Sequence, residues 1–249
     1  MNSAKPDRRK RTGADLTSLG RYHEALKAFD EEMKDSGDLD LLLMKALTMD
    51  RMGMFSDALN WCEQVIQKEP EHPDAWFVRG ITLYWHAQLS DAARCLGHAV
   101  ALDPDHGEAW LILGNCQYQI GDLDKALCSY DRVISLSPDH PNAWYNRGVC
   151  LADLERFEEA LASYDTCIHI NPRVSVVHAN RGVALASLGR AEEALSAFDF
   201  ALDLDPRDLT ALNNKGLLLS GLGREEEAMV VLQMARELAR YQSIPRRVW

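Results

Sequence analysis

The sequence predicts an all-α solenoid built from repeated helix pairs, and three observations carry this prediction. Prolines recur at intervals of 34 residues, at Pro70, Pro104, Pro138, Pro172 and Pro206. Small residues keep the same interval in two further columns, which are Gly80, Gly114, Gly148, Gly182 and Gly216, and Ala58, Ala92, Ala126, Ala160, Ala194 and Ala228. A fixed period over most of the 249 residues indicates one continuous array rather than one or two globular domains.

Each period contains two helical patterns separated by a turn. In the unit that begins at 107, a stripe with i, i+3, i+4, i+7 spacing consists of Trp110, Leu113, Gly114 and Gln117. Gly121 marks the turn, and a second apolar stripe runs from Ala126 to Ile134. Pro138 then ends the unit, because proline cannot continue a helix. The small columns allow the two helices to approach closely.

The period sets the expected boundaries along the chain. A basic tail (1–5) and a degenerate repeat (6–38) precede six full units and a C-terminal tail (241–249). The six units are 39–72, 73–106, 107–140, 141–174, 175–208 and 209–240.

These columns resemble the tetratricopeptide repeat (TPR) family. The matching positions are the Trp that opens several units (Trp76, Trp110, Trp144), the Gly, the Ala of the second helix, an aromatic residue (Tyr130, Tyr164, Phe198) and the closing Pro. The resemblance is strong over 39–240. It implies a right-handed superhelix whose first helices line a concave groove, and a protein that binds other proteins or peptides.

Charged residues predict an ion pair at five of the six junctions between units. An acidic residue on a second helix is matched by a basic residue on the next first helix in Asp30–Lys45, Glu63–Arg79, Asp131–Arg147, Asp165–Arg181 and Asp199–Lys215. Where the first member is neutral, at Gly97, the second is also neutral, at Leu113. We expect half-buried pairs that specify which unit stacks on which. The alternative is two independent columns of surface charge.

The resemblance also identifies the residues that would face the groove. The early units offer Phe77, Ile81, Tyr84, Trp85, Leu111, Asn115 and Tyr118, bordered by Asp40, Asp50, Asp74 and Glu108. Aromatic side chains of this kind are enriched in the cores of interfaces. The alternative is that these aromatics pack between neighbouring units.

The later units offer Tyr145 and a ladder of amides, Asn146, Asn180 and Asn214. An amide both donates and accepts hydrogen bonds, so a ladder could hold a peptide backbone. It looks like the asparagine ladder of the protein O-linked N-acetylglucosamine transferases, although Asn is also common in this column of the repeat. The carboxylate clamp of the co-chaperone TPRs is not expected, because Leu111, Val176 and Asn180 occupy its cation positions.

Composition and motifs exclude other classes of function. The chain has 27 Lys and Arg against 38 Asp and Glu, for a net charge of −11, which disfavours nucleic acid as a partner. No apolar stretch is long enough to span a membrane. No nucleotide-binding, metalloprotease or hydrolase motif occurs, so we expect neither an enzyme nor a cofactor.

Histidine and cysteine do not point to a metal. His72, His106 and His140 recur every 34 residues, and we expect neighbours of this kind to lie about 10 Å apart, too far to share one ion. They are interpreted as turn residues, and no metal site is predicted. The six Cys lack CxxC spacing and are expected to be free, buried thiols in a reducing, cytoplasmic location.

The two ends of the chain leave alternatives open. The first eleven residues carry five basic residues and one acid, which suits either an acidic partner or a solvated terminus. The last unit exposes Val230, Val231 and Met234, which either Ile244, Val248 and Trp249 cover or a second copy covers.

The function expected from the sequence is a protein-interaction scaffold that is a monomer or weak dimer. Its groove would bind a protein or peptide segment with apolar anchors and some basic residues. The alternative is a structural assembly subunit that associates through its apolar C-terminal repeat.

Overall fold

A computed structural model describes residues 12–36 and 38–243 of the chain. These residues form fourteen α-helices and no strand, so the predicted all-α class is confirmed for this part of the chain. The helices are α1 Gly13–Ser18, α2 Tyr22–Ser36, α3 Leu39–Arg51, α4 Phe55–Lys68, α5 Pro73–Trp85, α6 Leu89–Leu102, α7 Gly107–Ile120, α8 Leu123–Leu136, α9 Pro141–Asp153, α10 Phe157–Ile170, α11 Ser175–Ser187, α12 Ala191–Leu204, α13 Leu209–Gly221 and α14 Glu225–Ser243.

The chain divides into two compact units, and the boundary along the sequence lies between Gly121 and Asp122. The N-terminal unit holds α1–α7, in which α1 pairs with α2, α3 with α4, and α5 with α6, and α7 packs on α6. The C-terminal unit holds α8–α14, in which α8 packs on α9 and the remaining helices pair in chain order, α9 with α10, α11 with α12, and α13 with α14. Each odd-numbered helix is the first helix of its repeat, and each even-numbered helix is the second.

The first helices lie on the inner side of each unit. In the N-terminal unit α3 contacts α5 and α5 contacts α7, and in the C-terminal unit α9 contacts α11 and α11 contacts α13. Consecutive second helices within one unit, such as α4 and α6 or α10 and α12, make no such contact in the described residues. Side chains on the first helices therefore determine the chemistry of the inner surface.

The glycine column allows the first and second helices of a pair to touch. A Cβ atom added to Gly148 of α9 would lie 2.5 Å from the ring of Tyr164 on α10. At Gly182 of α11 it would lie 2.6 Å from the ring of Phe198 on α12. Tyr164 and Phe198 are almost fully buried, so these rings cannot move away without disturbing the surrounding core.

The tryptophan and proline columns are joined by one hydrogen bond. The indole Nε1 of Trp76 donates to the Pro70 carbonyl at 2.8 Å, and Trp110 and Trp144 make the same bond to Pro104 and Pro138. His178 occupies this column in α11, and its Nε2 lies 2.9 Å from the Pro172 carbonyl oxygen. Each bond fixes a first helix to the loop that precedes it.

One cysteine departs from the sequence prediction. Five of the six free thiols are buried, but Cys128 on α8 is exposed, so the expectation of buried cysteines is wrong at this position. Its counterparts one period away, Arg94 and Ala162, are also exposed, which places Cys128 in a surface column. Burial raises the pKa of Cys62 and of Cys116 to about 12, which makes both thiols poor nucleophiles.

Two expectations concern residues outside the described part of the chain. The basic N-terminal tail lies there, and so do Ile244, Val248 and Trp249, which are one of the two alternatives for covering the last helix pair. Helix α14 extends to Ser243, three residues beyond the expected end of the last unit at 240. None of the described helices is both long and apolar enough to cross a membrane.

Candidate functional site

The inner surface of the N-terminal unit presents aromatic side chains at the end of α5. Trp85 is 70% exposed, although it is the largest type of side chain. Its ring lies edge-on to that of Tyr84, with the ring centroids 5.5 Å apart. Phe77 and Ile81 lie further back on the same helix and are half-buried against the core that includes Leu83 and Leu96. This surface therefore offers one projecting indole beside a partly covered apolar patch.

Contacts with α7 and with His106, the N-cap residue before it, hold part of this aromatic group in place. The ring of Phe77 packs on that of His106, with centroids 4.3 Å apart. Gln119 donates from Nε2 to the Tyr84 hydroxyl at 3.4 Å. Phe77 and Tyr84 thus contribute to helix packing as well as to the surface, while Trp85 remains mainly exposed. Leu111, Asn115 and Tyr118 are half-buried on α7.

Acidic residues border this surface at the start of each first helix. Asp40, Asp74 and Glu108 are each the second residue of their helix, and all three are exposed. Carboxylates are favoured here by the partial positive charge of the helix N-terminus. Asp50 differs from them, because its side chain is only 11% exposed and lies 2.9 Å from His86 Nε2. The exposed border therefore consists of three carboxylates rather than the four expected.

The inner surface of the C-terminal unit is more polar and has smaller side chains, and its three amides have different surroundings. Asn180 on α11 donates from Nδ2 to the Tyr145 hydroxyl on α9 at 3.0 Å. Burial raises the pKa of Tyr145, so this hydroxyl remains a neutral acceptor. Asn214 donates from Nδ2 to the Thr210 carbonyl of its own helix at 2.9 Å. Asn146 is half-buried on α9.

A hollow of about 340 Å³ lies beside Asn214. Its lining residues are Val183, Ala186, Ser187, Phe198, Asn214, Leu217 and Leu218. Leu217 is 63% exposed and supplies the most accessible apolar group there. The amide ladder is thus not a row of equivalent groups, since Asn180 links two helices and Asn214 borders a hollow.

The structure brings together the two members of all five predicted ion pairs. Nitrogen-to-oxygen distances are 2.6 Å for Lys45–Asp30, 2.9 Å for Arg79–Glu63, and 2.7 Å for both Arg147–Asp131 and Arg181–Asp165, and Lys215 also contacts Asp199. The cationic side chains are 9–30% exposed and the carboxylates 41–57%. Only the cationic member is therefore mostly buried.

The junctions differ in what surrounds the cation. Arg147 also donates from Nη1 to the Ser163 hydroxyl at 2.7 Å, so it joins α8, α9 and α10. Lys45 lies over the ring of Trp61, 4.4 Å from its centroid. At the neutral junction, Leu113 is 5% exposed within an apolar cluster. An apolar contact therefore replaces the ion pair there.

Comparisons with known proteins agree with this architecture. Two family models, both described as tetratricopeptide repeat, match the chain, one over residues 113–186 and the other over 82–141 and 180–243. Together they extend over 82–243, about two thirds of the chain. No curated protein matches the sequence.

Solved structures show the same fold. A crystal structure of YrrB, a TPR protein with an unusual peptide-binding site, has a TM-score of 0.70 and 21% identity, and the match covers 76% of this chain and 98% of YrrB. MamA from Desulfovibrio magneticus has a TM-score of 0.65 and 20% identity, covering 69% of this chain and 97% of that one. The C-terminal part of a TPR protein from Cytophaga hutchinsonii has a TM-score of 0.73 and 16% identity, covering 91% and 93%.

Proposed function

Because the chain belongs to the tetratricopeptide repeat family, we propose that it is a protein-interaction scaffold whose N-terminal inner surface binds an extended segment of a partner. The segment carries apolar or aromatic anchors and basic residues. The observation that carries this proposal is the exposure of Trp85 beside Tyr84, within a surface bordered by Asp40, Asp74 and Glu108.

The energetics favour Trp85 as the main anchor. In the unbound protein, the 70% exposed Trp85 leaves apolar surface in contact with water, which is unfavourable. A partner that covers this surface removes it from water, which stabilises the complex. Residues of this type dominate the binding energy of many interfaces. The acidic border adds attraction for Lys or Arg, which raises the association rate and selects partners by charge.

The likeness to YrrB supports a peptide as the ligand. YrrB is described as having an unusual peptide-binding site, and it shares the fold of this chain at 21% identity. We extend to this chain only the class of ligand. The residues that would contact the ligand are proposed from the exposed side chains of α3, α5 and α7.

A selection from a random peptide library tests the proposal. The immobilised full chain should enrich peptides that combine apolar or aromatic residues with Lys or Arg. Fluorescence anisotropy then compares wild type with Trp85→Ala, for which we expect affinity to fall at least about tenfold. A matched control is Leu102→Ala, an exposed apolar residue on α6. The proposal fails if Trp85→Ala binds as tightly as wild type, or if the selected peptides are acidic.

The asparagines of the C-terminal unit are a second part of the proposal. The inner surface of this unit would bind an extended peptide along α9, α11 and α13, with Asn146, Asn180 and Asn214 bonding its backbone. Changing all three to Ala should weaken the binding of peptides selected on the Trp85→Ala chain. Unchanged affinity in the triple variant would restrict binding to the N-terminal unit.

Self-association is a second candidate function, which the surface of α14 favours. Met229, Val230 and Met234 are 68%, 61% and 50% exposed. Leu195, one period before Met229, is only 6% exposed because it packs with Leu219 of α13. Light scattering after size exclusion should compare wild type with Met229→Lys/Val230→Lys, using Met44→Lys as control. If the wild-type chain is monomeric, self-association through α14 is not its function.

A further inference from the structure

The structure gathers three side chains of metal-ligating type at the junction between α3 and α5. Asp40 is the second residue of α3, His72 caps the N-terminus of α5, and Asp74 is the second residue of α5. One ligand atom from each residue lies within 4.8 Å of those from the other two. His72 Nε2 lies 3.3 Å from Asp40 Oδ1.

The imidazole of His72 differs from its counterparts in later repeats. In His106 and His140, Nδ1 accepts a hydrogen bond from a backbone N–H of the following helix, at Ala109 and Ala143, both at 3.2 Å. An accepting Nδ1 leaves the proton of a neutral ring on Nε2, which then cannot bind a metal. His72 Nδ1 is buried and has no hydrogen-bond partner among the described residues. Its tautomer is therefore not fixed by the helix, and Nε2 can present a lone pair.

The charges around this cluster also favour a cation. Asp40 and Asp74 present two carboxylates within 4.8 Å of each other, and like charges at this distance repel. In the part of the chain that the structure describes, no Lys or Arg lies within ion-pair distance of either. Among the described residues, their carboxylates pair with the imidazoles of His72 and His106. A bound divalent cation would remove the repulsion.

We propose that Asp40, His72 and Asp74 form a binding site for a divalent first-row transition-metal ion of the Zn²⁺ type. One imidazole nitrogen and two carboxylates suit such borderline ions better than Ca²⁺ or Mg²⁺, which prefer oxygen ligands alone. Two ligand atoms on one Zn²⁺ are separated by at most about 4.2 Å, twice the bond length of about 2.1 Å.

Closing the site needs only a small movement. The ligand atoms lie within 4.8 Å of one another, so no pair must approach by more than about 0.6 Å. The side chains of Asp40 and Asp74 are 63% and 56% exposed, so both can rotate without disturbing the core. Three protein ligands leave at least one coordination position for water or for a donor atom of another molecule. The site does not rest on the proposed peptide-binding function.

Isothermal titration of the metal-free, reduced full chain with Zn²⁺ tests this site. The titration uses a Cys128→Ser background, because the exposed thiol could bind Zn²⁺ by itself. We expect one site, and we expect His72→Ala to weaken it at least about tenfold, since losing even an outer-shell partner typically costs about 10–100-fold. The control is His140→Ala, the same position two repeats later, where Nδ1 accepts from the Ala143 backbone N–H, and this change should leave Zn²⁺ affinity unchanged.

Equal Zn²⁺ affinity in the Cys128→Ser chain with and without His72→Ala would overturn the proposal. It would also be overturned if the Cys128→Ser chain bound no Zn²⁺. Circular dichroism of His72→Ala without metal checks that this half-buried change leaves the helices intact. If that variant does not fold, Asp40→Asn/Asp74→Asn replaces it, because both side chains are exposed. Loss of Zn²⁺ binding in the double variant supports the site, and retained binding overturns it.

Discussion

Helices α5 and α11 are first helices three repeats apart, and they share several packing residues but differ in the size of their inner side chains. On the side that packs, Arg79, Gly80 and Leu83 of α5 correspond to Arg181, Gly182 and Leu185 of α11. On the inner side, Ile81, Tyr84 and Trp85 correspond to Val183, Ala186 and Ser187. The packing side repeats because each pair must fit its neighbours. The inner side is free of that requirement and can be specialised for a partner.

The largest expected effect tests the packing side of this comparison. Gly182→Ala should destabilise the protein by about 1–3 kcal/mol, because its Cβ would lie 2.6 Å from the buried Phe198 ring. Gly80→Ala should cost a similar amount, because its Cβ would lie 2.7 Å from Cγ of the fully buried Leu96 and 3.3 Å from the Leu96 backbone nitrogen. The midpoint of urea unfolding, followed by circular dichroism, measures both.

The control for these variants is Gly97→Ala within α6, where a Cβ atom meets nothing within 4 Å. This change should stabilise the helix by up to about 1 kcal/mol, since Ala has the higher helix propensity. If Gly182→Ala were as stable as Gly97→Ala, the packing sides of α5 and α11 would not be under the common constraint described above.

A smaller effect is expected from the ion pairs that both helices share. A double-mutant cycle of Asp165→Asn and Arg181→Gln should give a coupling of about 0.2–1 kcal/mol, because the carboxylate is half exposed. The corresponding cycle at Glu63 and Arg79 should give less. Arg79 Nε is buried without a hydrogen-bond partner in the described residues, whereas Arg181 bonds Asp165 through this atom.

High salt should reduce both couplings, as expected for partly exposed charges. Zero coupling in both cycles would mean that the matched charges contribute nothing to the stability of the junctions. The matched charges would then reflect only the high content of charged residues, and they would not determine which repeat stacks on which.

The smallest effect concerns thiol reactivity, which separates surface columns from packing columns. At pH 8, a thiol-specific reagent should modify Cys128 rapidly and the other five cysteines slowly. A pKa of about 12 for Cys62 and Cys116 leaves about one thiolate in 10⁴ at this pH, so burial and protonation both protect them. Cys128→Ser should abolish the fast phase. A fast phase that survives this change would show that a packing column is open to solvent.

The repeat register made much of the fold predictable. A fixed period aligns residues that must meet the same neighbours, so the Pro, Gly and Ala columns indicated paired helices. The same alignment placed Asp165 opposite Arg181, and their side chains lie 2.7 Å apart. Cys128 was mispredicted because it was judged by residue type, whereas its column neighbours Arg94 and Ala162 indicated exposure.

The candidate sites were less predictable, because they depend on side-chain conformation across junctions. The hydrogen bond from Asn180 to Tyr145 joins residues at two different repeat positions in successive repeats. Comparing residues at one repeat position therefore does not predict this bond. The cluster of Asp40, His72 and Asp74 was missed for a similar reason. The histidine column by itself indicates no metal site, because the neighbouring ligands come from the acidic column.

The proposed role of the N-terminal inner surface is tested most directly by locating a bound peptide. A peptide selected on the full chain would carry a photoreactive benzophenone, and mass spectrometry would identify the crosslinked residues. We expect crosslinks on α3, α5 and α7, within residues 39–120, and their loss in Trp85→Ala. Crosslinks confined to α9–α14, or crosslinks on α5 that Trp85→Ala leaves unchanged, would contradict it.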